Sequence, residues 1–318
     1  MSIWKLRLSI LGTLALIIGL STLFFTVILT LIGIFNIFIL GAFVIVFNIL
    51  QWLIAPYIID AIYRVQEVKQ SDNPQLYEMV ERLSRKSGLK MPKVMLARIP
   101  IPNAFAYGSP IAGSRVAVTS ELLKTLEMEE VEAVIGHELG HLKHRDVQVM
   151  MFVSILPALF YYIGYSMLLS SMYRRSQERS SGTALIGIAS LVVYWILTLF
   201  TLYLSRLREY YADRHSATVV EEGPRKLSEG LAKIVHYSGR MKRMHRDAGH
   251  LNSIKALFIS DPDRAESDAV AISQIGKGDQ KLVEELLRRK VSTADKILEL
   301  FSTHPNIVKR LRALQELA

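Results

Sequence analysis

The chain has 318 residues, 51% of them hydrophobic, a net charge of +9 and no cysteine. The lack of cysteine excludes disulfide bonds and metal sites with cysteine ligands. Nucleic-acid binding is disfavoured, because the basic residues are scattered and form no stripe interleaved with aromatic residues. An excess of Lys and Arg on the cytoplasmic side of membrane segments explains the positive charge more simply.

Long segments without Asp, Glu, Lys or Arg predict four membrane-spanning helices. The first segment, residues 8–59, has 52 residues and can hold two spans of roughly 20 residues each. Gly33 and Asn36 mark the expected turn between them. Residues 147–173 and 180–205 supply one span each, with 27 and 26 residues. The alternative for these two is a pair of buried core helices, but helices apolar on every face for this length favour the membrane.

The remaining polar sequence, residues 60–146 and 206–318, is expected to form one mostly α-helical domain in two parts, with a small β-sheet. Residues 1–59 and 147–205 form the membrane part. In the first polar part we predict a helix at 74–87, a strand at 92–97 and a pair of strands at 103–108 and 115–119. Two further helices are predicted to begin at Glu121 and at Glu129. In the second polar part we predict a helix that begins at residue 206 and is continuous with the fourth span, and a mobile loop at 239–249. Two more helices are predicted at 283–289 and 306–317.

The helix that begins at Glu129 carries an HExxH pattern, His137-Glu138-Leu-Gly-His141. Two histidines four positions apart lie on one helix face, so both imidazoles can bind one metal ion. The glutamate between them can take a proton from a water molecule that the metal activates. Two incidental histidines are the alternative, but the apolar turn at 131–135 predicts a packed helix and favours the metal site.

A catalytic zinc site needs a third protein ligand and one open position. The third span begins six residues after His141, and the fourth ends four residues before Glu209. Because two antiparallel spans return the chain to the side it left, Glu209 is predicted to lie near the two histidines. Asp213, one turn further, is expected to accept a hydrogen bond from a ligand histidine. The alternative is a solvated pair of like charges, which mildly destabilises a helix at this spacing.

Four segments, in this order and spacing, resemble the motifs of one family. They are Pro102–Gly108 (PNAFAYG), His137–Asp146 (HELGHLKHRD), Ser205–Asp213 (SRLREYYAD) and Phe301–Pro305 (FSTHP). The chain resembles the HtpX heat-shock metalloproteases, which are related to the CaaX prenyl endopeptidases. It departs from them in two places. Asn306 stands where the family often has a second proline, and residues 262–298 are long for the family, so no substrate recognition is assigned there.

The resemblance implies a zincin-like fold of the gluzincin type, with His137, His141 and Glu209 as ligands of one Zn²⁺ per subunit. It also implies that Glu138 is the base and that Asp213 is the carboxylate that orients a ligand histidine. A multi-pass protein of the cell membrane is expected, with its active site facing the cytoplasm. The implied role is quality control of membrane proteins.

Three further residues are possible contacts for a peptide substrate. Asn103 and Phe105 are predicted on an edge strand beside the metal, where an extended substrate could add as a further strand. An ordinary buried strand is the equal alternative. His304 is a possible donor to the oxyanion that forms during peptide hydrolysis. A helix-capping environment explains His304 nearly as well.

Three polar residues near the motifs are expected to have no role in metal binding. His144 is interpreted as a surface or interfacial histidine, because a fourth protein ligand would close the open position. His215 is rotated away from the face that carries Glu209 and is interpreted as structural. Asp146 is interpreted as a cap of the third span, since a carboxylate is favoured at a helix N-terminus.

The leading functional hypothesis is a membrane endopeptidase that cleaves misfolded or damaged membrane proteins. Its partners are then protein or peptide substrates and the lipid bilayer. A dedicated protease for one lipidated or signal-derived class of substrate is the alternative within enzymes. A non-proteolytic scaffold is a second alternative, although Glu138 and the expected ligands are all present. A transporter is disfavoured, because the predicted spans contain no Asp, Glu, Lys, Arg or His.

The distribution of basic residues predicts that both termini and both polar parts lie in the cytoplasm. Lys5 and Arg7 precede the first span, which is too long for a signal peptide and has no clear cleavage site. With the uncharged turn after that span, they favour an N-terminus inside the cell. Arg174, Arg175 and Arg179, after the third span, argue the other way. The first hairpin is given more weight because it inserts first.

Overall fold

The computed structural model describes residues 37–173, 177–244 and 279–318. Its helices are α1 Ile37–Tyr63, α2 Pro74–Lys86, α3 Ser120–Thr125, α4 Met128–Lys143, α5 Asp146–Tyr173, α6 Gln177–Val219, α7 Gly223–Met244, α8 Asp279–Arg288, α9 Thr293–Leu300 and α10 Ile307–Gln315. Its strands are β1 Val65–Glu67, β2 Lys93–Ala97, β3 Ala104–Ser109 and β4 Gly113–Thr119. The described residues form two compact units, one from 37–51 and 150–201 and the other from 52–149 and 202–318.

Three helices in the described part of the chain are long and apolar enough to cross a membrane. These candidate spans are Gly41–Tyr63, Asp146–Met172 and Gly182–Val219. They correspond to the second, third and fourth predicted spans. The first predicted span and the turn at Gly33 and Asn36 lie outside the described residues.

Helices α5 and α6 pack closely in the first unit at two glycines. A Cβ added at Gly164 would lie 2.9 Å from the carbonyl oxygen of Gly187, and one added at Gly187 would lie 3.0 Å from that of Gly164. Small residues that let two backbones approach are typical of helix pairs in membranes, where packing replaces the hydrophobic effect. This pair therefore fits the predicted membrane hairpin.

The second unit contains a four-stranded sheet with the order β1-β2-β4-β3. Strands β3 and β4 form an antiparallel hairpin, and Gly113 at its turn has a φ of 73°, which a residue with a Cβ rarely adopts. Strand β2 pairs with β4 in parallel and with β1 antiparallel. The predicted strand pair is confirmed, and β3 lies at one edge of the sheet.

The core of the second unit is formed by α2, α4, α7 and α10 against the sheet. Helix α2 begins where Asn73 accepts a hydrogen bond from the backbone N–H of Leu76, with Pro74 in the first turn. Its Leu76 and Leu83 are fully buried. Burying each leucine side chain stabilises the fold by about 1.5–3 kcal/mol relative to exposure. The core holds α4, and with it the HExxH pattern, in a fixed place.

The predicted mobile loop at 239–249 is wrong in its first part, because α7 continues to Met244; the rest lies outside the described residues. Helix α7 was not predicted from the sequence, although Leu227, Leu231 and Ile234 recur at helical spacing and are all buried. Its lysines, arginines and glycines gave the segment the composition of a loop. Helix α9 was also missed.

Candidate metal centre

Helix α4 presents both histidines of the HExxH pattern on one face. The Nε2 atoms of His137 and His141 lie 3.2 Å apart, and His137 is fully buried. Helix α6 can approach this face because the neighbouring residues are glycines. A Cβ at Gly140 would lie 2.9 Å from the Cα of Ala212, and one at Gly136 would lie 3.1 Å from Oγ of Ser216. The glycines therefore allow α6 to bring its own side chains to the two histidines.

Glu209 on α6 completes a group of three possible ligands. Its carboxylate oxygens lie 3.7 Å from Nε2 of His137 and 3.5 Å from Nε2 of His141. One ligand atom from each residue lies within 4.8 Å of the others. Two imidazole nitrogens and one carboxylate oxygen are a donor set that catalytic zinc sites use, with one position left open. The residues therefore fit a catalytic metal ion.

Each histidine has a carboxylate at its other ring nitrogen. Nδ1 of His137 lies 2.8 Å from Oδ1 of Asp213, as predicted for this aspartate. Nδ1 of His141 lies 2.7 Å from Oδ2 of Asp146. A carboxylate at Nδ1 fixes the ring and leaves Nε2 free to bind a metal. Both Nε2 atoms thus point towards Glu209.

Asp146 lies at the start of the third predicted span, as its interpretation as a helix cap requires, but its side chain also contacts the metal centre. Asp146 is the first residue of α5, but its side chain contacts His141 and also Arg208 of α6. It therefore orients a possible metal ligand and joins α6 to the end of α4. The signal was present, because the aspartate closes the HELGHLKHRD motif.

Arg310 on α10 is a functional candidate that the sequence did not reveal. Its side chain is 1% exposed, and its Nε and Nη2 donate to the two carboxylate oxygens of Asp213 at 2.9 and 2.6 Å. Its Nη1 lies 3.0 Å from Oε2 of Glu209. Two buried carboxylates one helical turn apart repel each other, and a buried guanidinium offsets that repulsion. Arg310 thus holds Asp213 and Glu209 together.

His304 lies beside the same cluster, with Nδ1 3.3 Å from Oε1 of Glu209. The turn that carries it is held by Arg206 of α6, whose Nη1 donates to the carbonyl oxygen of Ser302 at 2.7 Å. Asn306 caps α10 through the backbone N–H of Val308. The structure therefore places His304 at the site, and its action as an oxyanion donor stays a prediction.

Glu138 is almost fully buried on α4, between the two histidines in sequence.

Burial lowers the pKa of His141, but the hydrogen bond to Asp146 and the charges of Glu209 and Glu138 raise it by more, to about 9. A metal ion that binds to His141 therefore competes with a proton for the ring nitrogen.

The two residues predicted on the edge strand are both buried. Asn103 precedes β3, and its backbone pairs with Thr119 through an N–H to Oγ1 bond and through its carbonyl oxygen. Phe105 is 3% exposed and packs against Tyr63 and Tyr107. The Phe105 side chain is thus part of the core. Strand β3 itself lies at the sheet edge and contacts α4.

His144 and His215 lie outside the group of three possible ligands in the described residues. His144 is exposed at the end of α4, and its ring centroid is 6.2 Å from that of His215. Nε2 of His215 lies 2.9 Å from Oγ of Ser87, at the end of α2. This contact fits the structural role predicted for His215.

Comparison with known proteins agrees with this geometry. A family model described as peptidase family M48 matches residues 70–318, which include the three clustered residues. The chain belongs to peptidase family M48. The resemblance to HtpX proteases is confirmed by curated relatives named protease HtpX homolog. The one from Thermoplasma acidophilum is 37% identical over 278 residues, covering 86% of this chain and 83% of the relative. The one from Aeropyrum pernix is 40% identical over 285 residues, covering 88% and 86%.

A solved structure shows the same fold at lower identity. The crystal structure of Ste24p from S. mikatae has a TM-score of 0.58 and 16% identity to this chain. The match covers 98% of this chain and 66% of that one, just under two thirds. As an M48 member with three apolar helices, the chain is a metallopeptidase and a membrane protein.

Proposed function

We propose that this chain is a membrane-embedded zinc endopeptidase that hydrolyses peptide bonds of misfolded or damaged membrane proteins. The observation that carries the proposal is the approach of His137, His141 and Glu209 to within 4.8 Å, beside the buried Glu138. The relatives named HtpX homolog support the protease activity. One Zn²⁺ per subunit is the proposed cofactor.

Each residue has a proposed part in peptide hydrolysis. His137, His141 and Glu209 would hold the zinc ion, while Asp213 and Asp146 keep the two imidazoles oriented. Zinc bound there supplies a Lewis acid that lowers the pKa of water and polarises the peptide carbonyl. Glu138 takes the proton of the attacking water and passes it to the leaving amine. His304, next to Glu209, donates to the developing oxyanion.

Strand β3 is the proposed place for an extended substrate. It lies at the sheet edge and contacts α4, the helix that carries Glu138. A substrate strand could pair with those backbone groups of β3 that point away from β4. The side chain of Phe105 is buried, so its contribution is to hold the strand in place.

We propose a multi-pass protein of the cell membrane whose active site faces the cytoplasm. The support is the basic N-terminus before the first predicted span. Reporter fusions after Arg64 and at Arg179 should then report opposite sides of the membrane. Two fusions on the same side would mean that the second hairpin is re-entrant or that the number of spans is wrong, and a fusion after Arg64 on the outer side would contradict the orientation.

Removal of the metal tests the proposed activity. Purified protein in detergent should lose cleavage of an unfolded membrane protein after treatment with 1,10-phenanthroline, and added zinc should restore it. The ligands must release protons to bind zinc, so zinc uptake should also release protons into a weakly buffered solution. Cleavage that persists after complete zinc removal, or that only a serine-directed reagent blocks, would contradict the proposal.

A further inference from the structure

The β3–β4 hairpin lies along helix α1, and three side chains of β3 mark the contact. The ring of Phe105 is 5.4 Å from that of Tyr63, and the hydroxyl of Tyr107 donates to Asp60 at 2.6 Å. The hydroxyl of Ser109 donates to the carbonyl oxygen of Leu53 at 3.1 Å, in the middle of the helix. Residues 105, 107 and 109 share one face of the strand. Later residues of β3 therefore contact earlier residues of α1.

The lengths of the two elements agree with this side-by-side arrangement. The four steps along the strand from residue 105 to residue 109 extend about 14 Å. The ten steps along the helix from residue 53 to residue 63 extend about 15 Å. The strand and the helix are thus nearly antiparallel, and the tip of the hairpin lies at the level of Leu53.

Leu53 lies inside the candidate span Gly41–Tyr63. The polar end of that span is marked by Asp60, which pairs with Arg115, a residue that lies opposite Tyr107 in the middle of the hairpin. Seven residues separate Asp60 from Leu53, so the hairpin tip lies about 10 Å further along the helix axis. Arg115 also lies 5.3 Å from the ring centroid of Tyr57, and tyrosine is enriched at membrane–water interfaces.

The residues of the tip suit a lipid environment. Ile111 is 68% exposed, the neighbouring Ala112 is apolar, and residues 110–114 contain no charged side chain. A single exposed isoleucine is too small for a stable protein interface, which buries about 800 Å² per partner. Lipid is the occupant that fits an apolar tip beside the middle of a membrane helix.

We propose that the β3–β4 hairpin enters the bilayer beside α1 with Ile111 in contact with lipid. The edge strand β3 then leads from the bilayer to α4 and its HExxH pattern. In this respect the inference rests on the proposed function: an extended segment that leaves the bilayer would pair with β3 on its way to Glu138.

The position of the tip can be measured directly because the chain has no cysteine. Ile111→Cys, Ile54→Cys and Ile62→Cys each provide one site for a nitroxide label, and all three isoleucines are at least half exposed. Lys93→Cys, at an exposed position of β2, is the control in water. The labelled full-length proteins are reconstituted in phosphatidylcholine vesicles, and collisions with oxygen and with a nickel chelate are compared by electron paramagnetic resonance.

The label at position 111 should collide more with oxygen than with the nickel chelate, at a depth close to that of position 54. The label at position 93 should show the opposite preference, and position 62 should lie nearer the surface. A label at 111 that behaves as the one at 93 would overturn the proposal. A label reached by neither reagent would also overturn it, because another protein segment would then cover the tip. Neither result depends on zinc or on proteolysis.

The route of the substrate needs a separate measurement. Ile111→Glu places a charge in lipid and should lower cleavage of a reconstituted membrane substrate by roughly tenfold. Cleavage of a soluble unfolded protein should stay within about twofold of wild type, since Ile111 is outside the metal centre. Equal losses on both substrates would overturn the route. A wild-type protein that cleaves neither substrate would instead contradict the proposed function.

Discussion

Glu138→Gln should reduce proteolysis by about 100-fold or more while zinc remains bound. The amide has nearly the size of the carboxylate, so the buried position on α4 keeps its packing. It cannot accept the proton of the attacking water, and the general base is lost. The variant should therefore keep its zinc content, measured by mass spectrometry, and lose its cleavage of an unfolded substrate.

Glu132→Gln is the matched control for this variant. It makes the same change on the same helix, where Glu132 pairs with the exposed Arg82 at 2.9 Å. A pair of this kind contributes about 0–1 kcal/mol, so activity and zinc content should both stay near wild type. Activity of Glu138→Gln within tenfold of wild type would exclude Glu138 as the base.

Features set by a short stretch of sequence were predictable. The second to fourth spans follow from charge-free runs, and the described helices α1, α5 and α6 agree with them. The HExxH face follows from helical spacing, and the Nε2 atoms of His137 and His141 do lie close together. The position of Glu209 followed from two segment lengths. Each of these depends on helix geometry alone, which is why sequence was sufficient.

Features that depend on packing between distant segments were not predictable. Arg310 reaches Asp213 across 97 residues, and nothing in the spacing of α10 distinguishes it from the exposed Arg312 on the same helix. The contact of Asp146 with His141 depends on the backbone turn at Arg145, which has a φ of 54°. The path of β3 along α1 depends on how the hairpin lies against the helix. Sequence spacing carries no information about any of these.

Glu209→Ala should remove zinc and activity together, because two histidines alone rarely hold a catalytic zinc ion. The variant should still fold. Arg310 keeps both of its bonds to Asp213, so no buried charge is left without a partner. Zinc content after dialysis and the circular dichroism of the same sample measure the two properties separately.

Three other alanine variants are compared with Glu209→Ala for zinc content and activity. Asp213→Ala should cost about 10–100-fold in zinc affinity or activity, because His137 keeps its place on α4 but loses the carboxylate at Nδ1. His144→Ala and His215→Ala should keep nearly full zinc occupancy, since neither lies in the ligand group of the described residues.

The order of these effects tests the ligand set more strictly than any single loss. Glu209→Ala should be worst, Asp213→Ala intermediate, and the two histidine variants near neutral. If His144→Ala lost zinc while Glu209→Ala retained it, the set of His137, His141 and Glu209 would be wrong. Helix α6 would then approach α4 at Gly140 for packing alone, and its carboxylates would need another explanation than metal binding.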